Sequence, residues 1–85
     1  MFFVILPFYV YLLKSLSTGR YYIGHTQNLE ERLNRHNQGR SVYTRGKGPW
    51  VILGYKVFET RSEAFGYERK LKRMRREEVL RELGL

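Results

Sequence analysis

Eighty-five residues are enough for one domain with one small core and too few for two. The chain has no cysteine, so neither disulfides nor a cysteine zinc site can stabilise it, and a reducing, cytoplasmic setting is expected. Sixteen Lys and Arg against eight acids give a formal charge of +8. That balance favours a polyanion, nucleic acid ahead of an anionic membrane, and leaves a merely soluble basic domain as the plain alternative.

All the acids are glutamates: Glu30, Glu31, Glu59, Glu63, Glu68, Glu77, Glu78 and Glu82. Without aspartate, the Asp-rich clusters that hold paired metals are not available, and any metal chemistry has few protein ligands.

In chain order, the apolar stretch from Met1 to Leu13 contains Pro7, lacks a basic leader and falls short of the ~20 residues a membrane helix needs. It reads as the lead-in to a buried strand. Residues 8–14 are aromatic and aliphatic enough for a central strand, Ser15 to Gly19 is a polar break, and Arg20 to Gly24 is aromatic again, which predicts a hairpin. Asn28 with Glu31 resembles a capping box; Leu29 and Leu33 recur four apart and Gly39 is a natural stop, giving a helix over 29–38. Residues 40–49 are basic and glycine-containing without a hydrophobic period, hence a loop. Trp50 to Phe58 suits a third strand. Thr60 with Glu63 opens a second helix running to about Met74, and Val79, Leu80 and Leu83 place a short third helix over 76–83.

Several side chains invite a chemical reading. Arg32 and His36, four apart on the first helix, share a face and could present a guanidinium and an imidazole to one phosphate; a solvated basic face with an exposed histidine is the competing reading. On the second helix, positions 64, 65, 68, 71 and 72 lie on one side, which sets Glu68 among Ala64, Phe65 and Leu71. A carboxylate there needs a partner: a metal ion, an arginine, or Lys72 one turn on. Tyr11 and Tyr22 fall in the hairpin strands; alternation puts Tyr9 and Tyr11 on one face and Tyr21 and Tyr22 on opposite faces. A phenol needs a metal or a cation beside it to act as a base at neutral pH. The run from Arg69 to Arg76 is basic enough to follow a phosphate backbone, to resemble a localisation signal or to be a solvated face. His25 and the serines show no triad-like spacing, and two histidines without cysteine argue against structural zinc.

Tyr9-Val10-Tyr11, Tyr22-Ile23-Gly24, Asn28 through Asn37, Tyr43-Thr44, Gly48-Pro49-Trp50 and Glu63-Ala64 through Lys72 occur in this order. Together they resemble the GIY-YIG nuclease superfamily, in particular small stand-alone members related to the nuclease domain of the excinuclease C subunit, over about residues 8–73. The resemblance implies an α+β fold with a three-stranded antiparallel sheet flanked by helices, in a single domain spanning 1–85. It implies a metal-dependent endonuclease that hydrolyses DNA phosphodiester bonds, with a DNA-repair relationship and structure-selective or weak selectivity. Tyr11 would serve as general base or hydrogen-bond partner of the attacking water, Tyr22 would orient water or phosphate, and Arg32, supported by His36, would stabilise the developing charge. Glu68 would hold one Mg²⁺ or Mn²⁺. Arg45, Lys47, Lys70 and Lys72 would follow the backbone, and a protein partner or self-association would direct targeting. The chain departs from the family at Tyr9, where glycine is usual, and at Val79 and Leu80, where many members carry an asparagine. A non-catalytic nucleic-acid-binding module of the same fold is the alternative.

Overall fold

The computed structural model describes residues 6–85. The expected lead-in therefore lies partly outside the described residues, at positions 1–5. The chain runs β1 (Phe8–Ser15), β2 (Tyr21–Thr26), α1 (Leu29–Asn37), β3 (Trp50–Phe58), α2 (Arg61–Lys72) and α3 (Arg76–Glu82). The strands form one antiparallel sheet in the order β2-β1-β3. The α+β class and the flanked three-stranded sheet are thus as expected.

β1 is central and its middle, Val10 to Leu13, is buried on both sides. Strand alternation divides it between two clusters. Val10 and Leu12 pack with Ala64 and Leu71 of α2 and Val79 of α3, while Tyr11 and Leu13 pack with Trp50 and with Leu29 and Leu33 of α1. Tyr21 joins the first cluster and Tyr22 the second, the opposite facing that alternation requires. In β3 the register steps between Leu12, opposite Gly54, and Leu13, opposite Ile52. Leu53 is the extra residue of this bulge. It packs on the α2 side while Ile52 stays on the α1 side.

The helix starts are where the cap residues put them. Asn28 Oδ1 accepts from the Glu31 amide at 3.0 Å, and Thr60 Oγ1 from the Glu63 amide at 3.2 Å, each satisfying an amide without an intrahelical partner. Several boundaries differ from expectation by one or two residues. β2 continues past Gly24 to Thr26 because its register with β1 runs on to the Tyr9–Thr26 pair. α1 stops at Asn37, followed by Gly39 at φ 74°. α2 stops at Lys72, and Met74 leaves the helix to pack against the apolar cluster.

The basic segment 40–49 is a loop, but an anchored one. The buried Ser15 hydroxyl donates to the Lys47 carbonyl and accepts from the amides of Ser17 and Thr18 at 3.2 and 3.0 Å. Asn37 closes the other end: its Oδ1 accepts from Trp50 N at 2.7 Å and its Nδ2 donates to Trp50 O at 3.1 Å, in the manner of a neighbouring strand. Among the described residues no helix is long and apolar enough to cross a membrane.

Candidate active site

Tyr11 occupies the α1 face opposite Gly24 of β2. Glycine is needed there for space: a Cβ at position 24 would lie 2.5 Å from the Tyr11 hydroxyl oxygen and 3.1 Å from the Tyr22 ring. The missing side chain lets the phenol lie across β2 towards the sheet edge.

His36, on the last turn of α1, meets this phenol. Its Nε2 is 2.9 Å from the Tyr11 hydroxyl and its Nδ1 is 2.7 Å from Thr44 Oγ1. The Tyr22 ring lies 4.9 Å from the imidazole centroid. His36 is 3 % exposed, so the solvated-histidine reading is overturned: α1 turns this face inward against the anchored loop. Thr44 is fixed in turn by its carbonyl, which accepts from Trp50 Nε1 at 3.1 Å.

Burial, first, and the guanidinium groups of Arg32 and Arg35 hold His36 below its ordinary pKa, so the ring is neutral near neutral pH. Burial, with Tyr22 and Glu68 nearby, raises Tyr11 well above the ordinary phenol range, although Arg32 pulls it down. Tyr11 is thus a neutral phenol. In the tautomer with hydrogen on Nδ1, that N–H donates to Thr44 and the phenol donates to Nε2. In the other, Nε2–H donates to the phenol oxygen and frees the Tyr11 proton for an external acceptor.

Arg32, one turn before His36, has a buried Nε without a hydrogen-bond partner among the described residues. A desolvated guanidinium donor lacking an acceptor fits an incoming anion, and the guanidinium fork matches phosphate.

Glu68 approaches from α2. It is 8 % exposed, between Ala64 and Leu71, and both its oxygens are engaged: His25 Nδ1–H donates to Oε1 at 2.8 Å and Lys72 Nζ to Oε2 at 3.1 Å. The expected i,i+4 lysine is present, whereas the histidine was missed. Alternation along β2 sets His25 on the side of Ile23, but that α2 covers this side is seen only in the fold. The buried stripe of α2 is narrower than expected, because Phe65 and Lys72 lie on its exposed flank. Thr44 and Asn37 were likewise missed as positioning residues.

Among the described residues no three His, Cys, Asp or Glu side chains converge as a metal cluster. A single buried carboxylate does fit a hard divalent ion that keeps water in most of its shell. The Lys72 ammonium, on a half-exposed side chain, is the group such an ion would displace.

The proposed backbone contacts are dispersed. Arg45 and Lys47 sit on the anchored loop, where Lys47 Nζ donates to Tyr43 O at 3.2 Å. Lys72 is paired with Glu68, while Lys70 lies on the opposite flank of α2, 3.4 Å from Glu82.

Residues 7–80 match the GIY-YIG catalytic domain. The chain belongs to the GIY-YIG family. It is 42% identical over 74 residues to a UPF0213 protein of Oceanobacillus iheyensis, covering 86% of this chain and 85% of that one. A UPF0213 protein of Clostridium perfringens is 40% identical over 73 residues, covering 85% and 77%. The solution NMR structure of a UPF0213 protein from Bacillus halodurans superposes with a TM-score of 0.57 at 29% identity, covering 92% of this chain and 83% of that one. GIY-YIG membership places the chain in a nuclease-type family, and with it an interaction with nucleic acid.

Proposed function

We propose that this GIY-YIG chain is a metal-dependent endonuclease that hydrolyses DNA phosphodiester bonds. The observation that carries the reading is the buried hydrogen-bond chain Tyr11–His36–Thr44 with Arg32 one turn before His36 on α1, where the Arg32 Nε is, among the described residues, a buried donor without an acceptor. In this reading Arg32 takes a non-bridging phosphate oxygen and offsets the charge that grows there. Tyr11, a neutral phenol, orients the attacking water by hydrogen bonding, and His36, with Thr44 behind it, holds the phenol and exchanges protons with it. Tyr22 closes the far side of the imidazole and bounds the space for water or phosphate. Glu68 would hold one Mg²⁺ or Mn²⁺, with water and phosphate oxygens as the remaining ligands; the bound ion would supply Lewis-acid stabilisation of phosphate charge. Arg45, Lys47 and Lys72 are proposed to contact the backbone.

A second reading, a binding module without cleavage, is favoured by one observation. Where many family members carry an asparagine, Val79 is 4 % exposed and built into the apolar cluster. A cleavage panel of duplex, flap, branched and single-stranded DNA, with Mg²⁺ and with Mn²⁺, separates the two. Cutting that disappears in Glu68→Ala while binding persists supports the nuclease; intact substrates throughout leave the binding module.

A further inference from the structure

Between β2, the end of α2 and α3 lies a hollow of about 500 Å³ that none of the roles above uses. Its volume is within the ~300–1,000 Å³ of small-molecule sites. Ile23 and Met74, lying over the buried Leu12 and Leu71, form an apolar floor, and Arg20, Lys72 and Arg76 bring positive charge to the lining; among the described residues no carboxylate lines it. Tyr21 forms one wall, and the Arg76 guanidinium sits over that ring, 4.5 Å from its centroid.

We propose that this hollow is a nucleobase subsite, which seats one unstacked base of a single-stranded nucleic acid next to the phosphate being cut. The inference rests on the nuclease reading and adds to it what lies beside the phosphate. The occupant is argued from complementarity. A purely anionic ligand would leave the apolar floor unused, and an apolar ligand would leave three cations facing nothing. A nucleotide satisfies both: its flat base stacks against the Tyr21 and Arg76 pair, and its phosphates meet Arg20 and Lys72. Two residues join the hollow to the site. Tyr22 lines both this hollow and the one containing Arg32 and His36, and Lys72 lines the hollow while holding Glu68 at 3.1 Å. A base in an intact duplex is stacked between its neighbours and cannot enter, so the subsite selects single strands, ends and flaps.

The test compares, by fluorescence anisotropy without divalent metal, binding of the full chain to a short oligothymidylate and to an abasic strand of equal length and charge. Wild type is expected to prefer the strand with bases by about tenfold. Tyr21→Leu, which keeps apolar bulk but removes the ring, and Arg76→Ala should each bring that ratio close to one, whereas Tyr21→Phe should preserve it. A ratio cancels the charge lost with Arg76. Should Tyr21→Leu prove unfolded by circular dichroism, Arg76→Ala, at an exposed position, decides. Equal binding of the two strands by wild type, or a preference that survives Arg76→Ala, overturns the subsite. Cutting assays on the same strands keep the two readings apart: Glu68-dependent cutting with no base preference removes the subsite alone, and base preference with no cutting removes the nuclease alone.

Discussion

On one face of the sheet, Val10 and Leu12 meet Ala64, Leu71 and Val79, carbon against carbon; on the other, Tyr11 and Leu13 meet Trp50, and hydrogen bonds through His36 and Thr44 join the phenol to the anchored loop. Alternate residues of one strand supply both. Apolar burial has no preferred direction, so it holds elements together without aiming any group. Hydrogen bonds are directional, and a phenol bonded to an imidazole that Thr44 holds in turn keeps one orientation. The α2 and α3 face therefore carries stability, and the α1 face carries aim. Glu68 is the exception, an acid set in the apolar stripe and held by hydrogen bonds from His25 and Lys72.

The division can be broken at its strongest point first. Leu12→Ala should lower unfolding stability by about 2–5 kcal/mol in urea titration, while activity per folded molecule is retained; a cost under about 1 kcal/mol would mean that the apolar face is not the main support. Glu68→Ala should reduce cutting by about 10²–10³-fold with nucleic-acid affinity nearly unchanged, and parallel loss of both would make the glutamate a packing group. Gly24→Ala forces the Tyr11 ring aside and should cost about 1–3 kcal/mol. Made in a Tyr11→Leu background, where the clashing hydroxyl and ring carbon are gone, the same change should cost little, and an unchanged cost would locate the strain elsewhere. Thr44→Val keeps shape but deletes the Nδ1 partner of His36; about 1 kcal/mol of stability should go, along with part of the activity, since the imidazole loses the contact that fixes its orientation.

The smallest effect is a pH dependence. His36 has its pKa lowered from 6.5 in the folded chain by burial and by Arg32 and Arg35. On acidification below 6.5 the unfolded chain takes up this proton first, so stability falls with falling pH from there down to the folded pKa. Thermal melts across that range should show the slope in wild type and lose it in His36→Gln; a slope retained in the variant would assign it to another group.

Much of this arrangement was legible in the residues. Strand and helix positions followed from hydrophobic period, and both helix starts from Asn28 and Thr60, because these signals are local. The likeness of the motifs, rather than spacing, gathered Tyr11, Tyr22, Arg32 and Glu68. What stayed hidden was pairing across the sheet. Alternation says that His25 and Tyr11 face opposite ways, but not which helix covers which side, so the His25 and Glu68 contact could not be read. Asn37 and Thr44 were hidden for a related reason: each satisfies a group distant in sequence, Trp50 or His36, and a loop without hydrophobic period gives no register from which to find it.

The bulge in β3 has a consequence for chain length. Because Leu53 is the unmatched residue opposite the step between Leu12 and Leu13, it is the position at which β3 can be shortened by one without turning the strand over. Removing it would leave Ile52 opposite Leu13 and Gly54 opposite Leu12, with Trp50 still under Asn37 and Tyr55 still beside Tyr11. A one-residue deletion away from the bulge would turn over the part of the strand that slips, and at the β3 start would bring Trp50 out of the α1 cluster. Length variation in β3 is thus expected to be tolerated best around this bulge.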